Sequence, residues 1–234
     1  MDTFTELAYI ASAILFILGI KLLGSAATAR RGNLLSSVGM LVAVVVTLLP
    51  REGGGLSYPW ILVGLIAGGA IGATAAKRVQ MTGMPELVAL FNGFGGLASL
   101  LVGWAEFHRV QPMYVKMAEA RAAVGAIGGV EMPDPFFRFF VVALAVLIGG
   151  VTFTGSLVAY GKLSGKLKDF SIPNAKNVNL GVLSGAGVFA VVLGFAGDTT
   201  NAYSVFLLLV VLALAVGVTA TTPIGGGDLP GVIA

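Results

Sequence analysis

Seven runs of apolar residues divide this chain, near 7–24, 34–49, 58–76, 84–105, 136–160, 178–196 and 202–220. Each reads as a helix long enough to cross a bilayer core of about 30 Å. Helices suit that setting because they satisfy every peptide group internally where no water is present. Composition points the same way: 11% of the residues are charged and 57% are hydrophobic, against about 25% charged in soluble domains. A soluble fold of 234 residues needs far more charge to cover its surface. Disorder requires low hydrophobicity and high charge, so it is excluded as well. The expected fold is all-α: a polytopic transmembrane helical bundle with about seven complete spans plus the start of an eighth.

The breaks carry turn chemistry. Arg30-Arg31-Gly32-Asn33, Pro50-Arg51-Glu52-Gly53-Gly54-Gly55, Lys77-Arg78 and Pro173-Asn174 read as interfacial turns. The first run is flanked by Asp2 and Glu6 rather than by a basic segment, so it reads as a span and not as a cleavable signal. Lys21, Arg30, Arg31, Lys77, Arg78, Lys162, Lys166, Lys168 and Lys176 fall on one side, against Arg51, Arg109, Lys116 and Arg121 on the other. The richer side is expected to be cytoplasmic, which places the N-terminus outside. The stretch 106–135 is then the one sizeable outer loop, with His108 as a solvated loop residue.

Several chemistries are excluded. There is no cysteine and one histidine, so thiolate chemistry is absent and a metal or haem site built by this chain alone is not expected. The net charge of +3 reflects cytoplasmic loops and does not indicate nucleic acid. Beyond the seventh run, Pro223 to Ala234 reads as the opening of an eighth helix, with Asp228 at its N-cap and Pro230 in its first turn. Gly83-Met84-Pro85-Glu86-Leu87-Val88-Ala89, opening the fourth run, is a short echo of it in the same direction. The chain therefore reads as a fragment whose eighth helix is cut.

Polar residues within spans are the first functional candidates, because hydrocarbon penalises them unless they find partners. Asn92 lies about two turns into the fourth run and is followed by Gly93, Gly95 and Gly96. Its amide both donates and accepts, so it can hold water in a proton path. The plainer reading is an interhelical hydrogen bond that only binds the bundle. In the fifth run, Thr152 and Ser156 are four residues apart and share a helical face, while Thr154 points elsewhere. Such hydroxyls often bond only to their own helix. Glu86 and Asp228 sit in first turns, where the helix dipole favours a carboxylate. Capping accounts for both, and a role at the cytoplasmic mouth is the alternative. Gly185-Ala186-Gly187-Val188-Phe189-Ala190 matches a dinucleotide pattern, but it lies inside an apolar run with no strand before it. Gly181 and Gly185, like Gly64, Gly68 and Gly72, read as small-residue packing faces. No nucleophile–base pair, phosphate loop or paired carboxylate appears within any run.

Gly68-Gly69-Ala70-Ile71-Gly72, Met81-Thr82-Gly83-Met84-Pro85-Glu86-Leu87-Val88-Ala89-Leu90 and Val151-Thr152-Phe153-Thr154-Gly155-Ser156-Leu157-Val158-Ala159-Tyr160-Gly161-Lys162-Leu163 together resemble the beta subunit of proton-translocating NAD(P) transhydrogenase. Gly226-Gly227-Asp228-Leu229-Pro230 looks like the start of that subunit's next segment. The resemblance implies that residues 1–234 are a proton-translocating membrane domain in a complex that couples hydride transfer from NADH to NADP+ to proton movement. NAD(H) and NADP(H) would be bound by soluble domains outside this chain, the NADP(H) domain lying downstream, with no metal. The partners implied are alpha subunits that contribute membrane helices, a second copy of the complex and the lipid bilayer. The location implied is the bacterial cytoplasmic membrane.

Residue by residue, the resemblance places Asn92 where well-known members have a membrane histidine, so the titrating group must come from elsewhere, such as a partner's helix. It places Ser156, with Thr152 on the same face, beside the channel, and puts Glu86 and Asp228 on the side facing the nucleotide domain, in coupling. Two rival readings are a secondary transporter of a small solute and a structural membrane anchor for soluble enzymes.

Overall fold

The computed structural model describes residues 3–49, 57–124, 134–168 and 173–225, and every regular element among them is helical. In chain order these are α1 Thr3–Leu23, α2 Ala29–Leu48, α3 Tyr58–Arg78, α4 Met84–Val124, α5 Pro135–Leu163, α6 Ala175–Ala196 and α7 Ala202–Thr221. A 3-10 turn, Met81–Gly83, leads into α4. All seven α-helices are long and apolar enough to cross a membrane, as the apolar runs predict. The expected N-cap Asp228 and the start of an eighth helix lie outside the described residues. The chain divides into two compact units, Met1–Ile71 and Gly72–Ala234, with the division falling inside the α3 sequence.

In the first unit, α1 and α2 form an antiparallel hairpin. Its backbones touch at Gly32, where a Cβ would lie 2.6 Å from the Gly19 carbonyl oxygen. Only the absence of a side chain permits that approach. The Tyr9 hydroxyl meets Thr47 Oγ1 at 2.9 Å farther along the pair. Arg30 to Asn33, expected as a turn, belong instead to the start of α2. The turn lies just before them, where Thr28 Oγ1 donates to the Leu22 carbonyl at 2.6 Å. Arginine is a good helix former, so charge alone did not mark a break. Gly64, Gly68 and Gly72 each have nothing within 4 Å of a would-be Cβ, so they form no packing face within the described chain.

In the second unit α4 runs antiparallel to α5, and α5 runs parallel to α7. The contact Glu106–Arg138 joins α4 to α5 near one end, and Asn92–Ser156 joins them near the other. Thr154 Oγ1 donates to the Leu214 carbonyl at 2.8 Å and ties α5 to α7. Asp134 starts α5 by accepting from Phe136 N at 3.0 Å, with Pro135 in the first turn, where a missing N–H costs nothing. The core is aromatic at this end. Phe107 stacks on Phe206 at 4.2 Å between centroids, and Tyr114 meets Phe139 edge-on at 5.4 Å.

That core explains the largest departure from expectation. Residues 106–124 are not an outer loop, because α4 continues as one helix of 41 residues to Val124. Phe107, Val110 and Tyr114 recur at helical spacing and are buried, and burying that stripe against α5 and α7 stabilises the extension. Pro112 is accommodated within it. His108 is accordingly a helical residue, exposed but stacked on Trp104 at 5.9 Å and edge-on to Tyr203. A second departure concerns α6, where Gly181 and Gly185 have no neighbour within 4 Å of a would-be Cβ. They do not form a packing face within the described chain.

Candidate functional site

The α4–α5 pair is built around a close approach of two backbones. A Cβ on Gly149 would stand 2.5 Å from Leu100 N and 2.7 Å from the Gly96 carbonyl oxygen. Any side chain there would force the helices apart. With them held together, side chains one to two turns farther along reach across the seam. Asn92 Nδ2 donates to Ser156 Oγ at 3.0 Å. Ser156 is only 4% exposed, whereas Asn92 is exposed along one side. The amide thus bridges a buried hydroxyl and the outer surface of the bundle. Phe91 and Phe94 flank it and are exposed too.

Thr152 lies one turn away on the same face of α5, half-buried, with its Cβ over Gly96. Thr154 faces α7, as its contact with Leu214 demands. The shared face of Thr152 and Ser156 and the divergence of Thr154 therefore both follow the helical spacing. The seam can accept, donate and relay hydrogen bonds, because a hydroxyl rotates to suit either role. It has no group of its own between Asn92 and Ser156 that carries a proton at neutral pH.

Glu86 begins α4 two turns before Asn92, half-buried. It does not touch the seam. Its negative charge acts on Lys166, just past the end of α5. Lys166 Nζ donates to the Tyr160 hydroxyl at 3.0 Å and lies 5.0 Å from the ring centroid. The bond to the Tyr160 hydroxyl first, with the negative charge of Glu86 adding to it, holds the Lys166 ammonium above the usual lysine range. Asp228, the other expected coupling residue, lies outside the described residues.

Sequence reasoning missed two features. One is Lys162, only 8% exposed, whose Nζ donates to the carbonyls of Thr222 at 2.6 Å and Ile224 at 2.8 Å. Counting it as an interfacial cation hid this. The spacing Val151, Gly155, Val158, Lys162 would have placed it on the helix face that packs against α7. The other is an ion cluster at the far end of the pair. Glu106 accepts from Arg109 Nε and Nη2, both at 2.8 Å, and from Arg138 Nη2 at 3.0 Å. Glu106 to Arg109 is an i, i+3 pair visible in the sequence, but Arg138 required the fold. Among the described residues no cluster of His, Asp or Glu could hold a metal ion.

Residues 5–234 match the family model described as NAD(P) transhydrogenase beta subunit. The chain belongs to the NAD(P) transhydrogenase beta subunit family. Two curated relatives named NAD(P) transhydrogenase subunit beta, both from Rhodospirillum rubrum, are 35% identical to it over 229 residues. The aligned region is 98% of this chain and 46% of each relative. The chain thus spans about half the length of the curated relatives it matches. As a member of the transhydrogenase beta subunit family with seven apolar helices, it is a membrane protein. The match does not favour the small-solute transporter reading.

Proposed function

We propose that this chain is the proton-conducting membrane portion of a proton-translocating NAD(P) transhydrogenase, with the α4–α5 seam as part of the proton path. The observation that carries the reading is the hydrogen bond from Asn92 to Ser156 in a member of this family. An amide and a hydroxyl relay protons through rotating hydrogen bonds and ordered water, yet neither titrates at neutral pH. The exposed side of Asn92 therefore meets a partner. An alpha-subunit membrane helix supplies a titratable side chain there, with an imidazole as the fitting chemistry because its charge changes near neutral pH. Ser156, with Thr152 one turn on, continues the path along α5.

The complete complex, a dimer in the bacterial cytoplasmic membrane, transfers hydride from NADH to NADP+ and couples it to proton movement. NAD(H) and NADP(H) are bound by soluble domains, the NADP(H) domain following this membrane domain, with no metal required. The Lys- and Arg-rich ends face the cytoplasm and the N-terminus lies outside, consistent with the positive-inside bias. Glu86 and Asp228 transmit the NADP(H) state to the path. That state biases which end of the path is open, and by linkage the proton gradient biases nucleotide binding.

The test is Asn92→Leu in the complete complex reconstituted in vesicles. Proton uptake linked to nucleotide turnover should fall to background while the complex still assembles. A purely adhesive hydrogen bond would cost about 0.6 kcal/mol, and coupled proton uptake would survive its loss. Unchanged proton uptake in the variant removes Asn92 from the path.

A further inference from the structure

We infer that Lys162 is a positioning residue that holds Ile224 as an apolar seal across one end of the Asn92–Ser156 seam. The inference rests on reading that seam as a proton path. It begins with the parallel helices α5 and α7, which end together. Each leaves carbonyls without helical partners and a negative dipole end. Lys162 sits in the last turn of α5, and its ammonium donates to the Thr222 and Ile224 carbonyls just beyond α7. Charge-assisted bonds of this kind are stronger than neutral ones, and here they form in a nearly buried setting.

The residue between those carbonyls is Pro223, whose fixed φ limits how the segment can turn. Ile224 N donates back to the Thr221 carbonyl at 3.2 Å, which completes a compact exit from α7. The Ile224 side chain then packs against Ala89 and Ala159, both fully buried, beside Tyr160 and Leu163. Ala89 is three residues before Asn92 on α4, and Ala159 is three residues after Ser156 on α5. In an antiparallel pair both steps lead in one direction along the seam. The layer next to the polar bridge is therefore two small side chains, Ala89 and Ala159, covered by Ile224 together with Tyr160 and Leu163.

Water and protons that reach Asn92 and Ser156 cannot continue past that layer while Ile224 is seated. Withdrawing the 222–224 segment would uncover Ala89 and Ala159, whose methyl groups cannot fill the space that Ile224 leaves. The ammonium of Lys162 holds the segment in place. It acts on the path through Ile224 rather than by carrying a proton.

The experiment uses the complete complex in nanodiscs, where both faces meet solvent, with Ala89→Cys as a reporter in a segment, residues 1–234, that has no other cysteine. The reaction rate of that thiol with a charged methanethiosulfonate is followed by mass change of the proteolytic peptide that carries it. In the native background the reporter should react far more slowly than Lys168→Cys, which is exposed. Adding Lys162→Met should speed it by about tenfold or more, since charge-assisted bonds that hold the closed state are lost. Lys162→Arg should restore the slow rate. Ala143→Cys, buried elsewhere in the core, should stay slow throughout, which separates local opening from general loosening. Ile224→Ala removes the seal with the ammonium intact, should show the same acceleration, and decides the matter if Lys162→Met does not assemble. Unchanged reporter rates in a complex that pumps protons overturn the seal. A native complex that pumps no protons overturns the path reading beneath it.

Discussion

The two ends of the α4–α5 pair are built from different materials. At one end Phe107, Tyr114, Phe139 and Phe206 interlock, all but inaccessible, with Glu106 bound to Arg109 and Arg138 beside them. Large rings with fixed contacts make a jigsaw that has one arrangement. At the other end glycines, alanines and hydroxyl side chains line the seam, a single amide bridges it, and Ile224 packs against Ala89 and Ala159 from a neighbouring segment. Small residues bring backbones close but leave little to interlock. The first end resists rearrangement, whereas the second is the polar seam proposed above as a track, with Ile224 proposed as its stopper. On that reading one pair of helices joins an anchor to a site that changes state.

Substitutions at the two ends should therefore separate function from stability. The largest effect is on the seam: Asn92→Leu should reduce coupled proton uptake to background with less than about 1 kcal/mol lost in unfolding. Phe139→Ala should do the reverse, costing about 3–5 kcal/mol in denaturant unfolding while the folded fraction keeps its coupling. If Phe139→Ala abolished coupling in folded complex, the division between anchor and track would collapse. Gly149→Val sits between the two ends and should affect both. Its side chain would meet the backbone of Leu100, so about 1–3 kcal/mol should be lost, and the parted helices should break the Asn92–Ser156 bond. The smallest effect is expected at Arg109→Ala, whose side chain is 68% exposed. Such a solvent-screened pair contributes little, and a clear loss of stability would show that the ion cluster belongs to the anchor.

The seven helices were legible because each apolar run is long and nearly free of charge, a signal that needs no tertiary information. The shared face of Thr152 and Ser156 followed from spacing alone. The extension of α4 beyond residue 105 was legible in principle, since Phe107, Val110 and Tyr114 keep a helical period, but nearby charges and Pro112 gave the stretch the look of a loop. Lys162 misled for a related reason. A lysine at the end of an apolar run usually marks an interface, and nothing local reveals that the carbonyls ending another helix will receive it.

The sequence by itself determined that this is a chain of membrane-spanning helices, and it nominated Asn92, Ser156 and Thr152, because hydrophobic run length, helical periodicity and the cost of polar groups in hydrocarbon are local properties. Only the tertiary structure decided which candidates meet. The Asn92–Ser156 bond depends on Gly96 and Gly149 letting two helices touch, and the Lys162 contacts depend on α5 and α7 ending side by side. Both join residues 60 or more positions apart, and a pairing over that distance is set by packing, which no local pattern encodes.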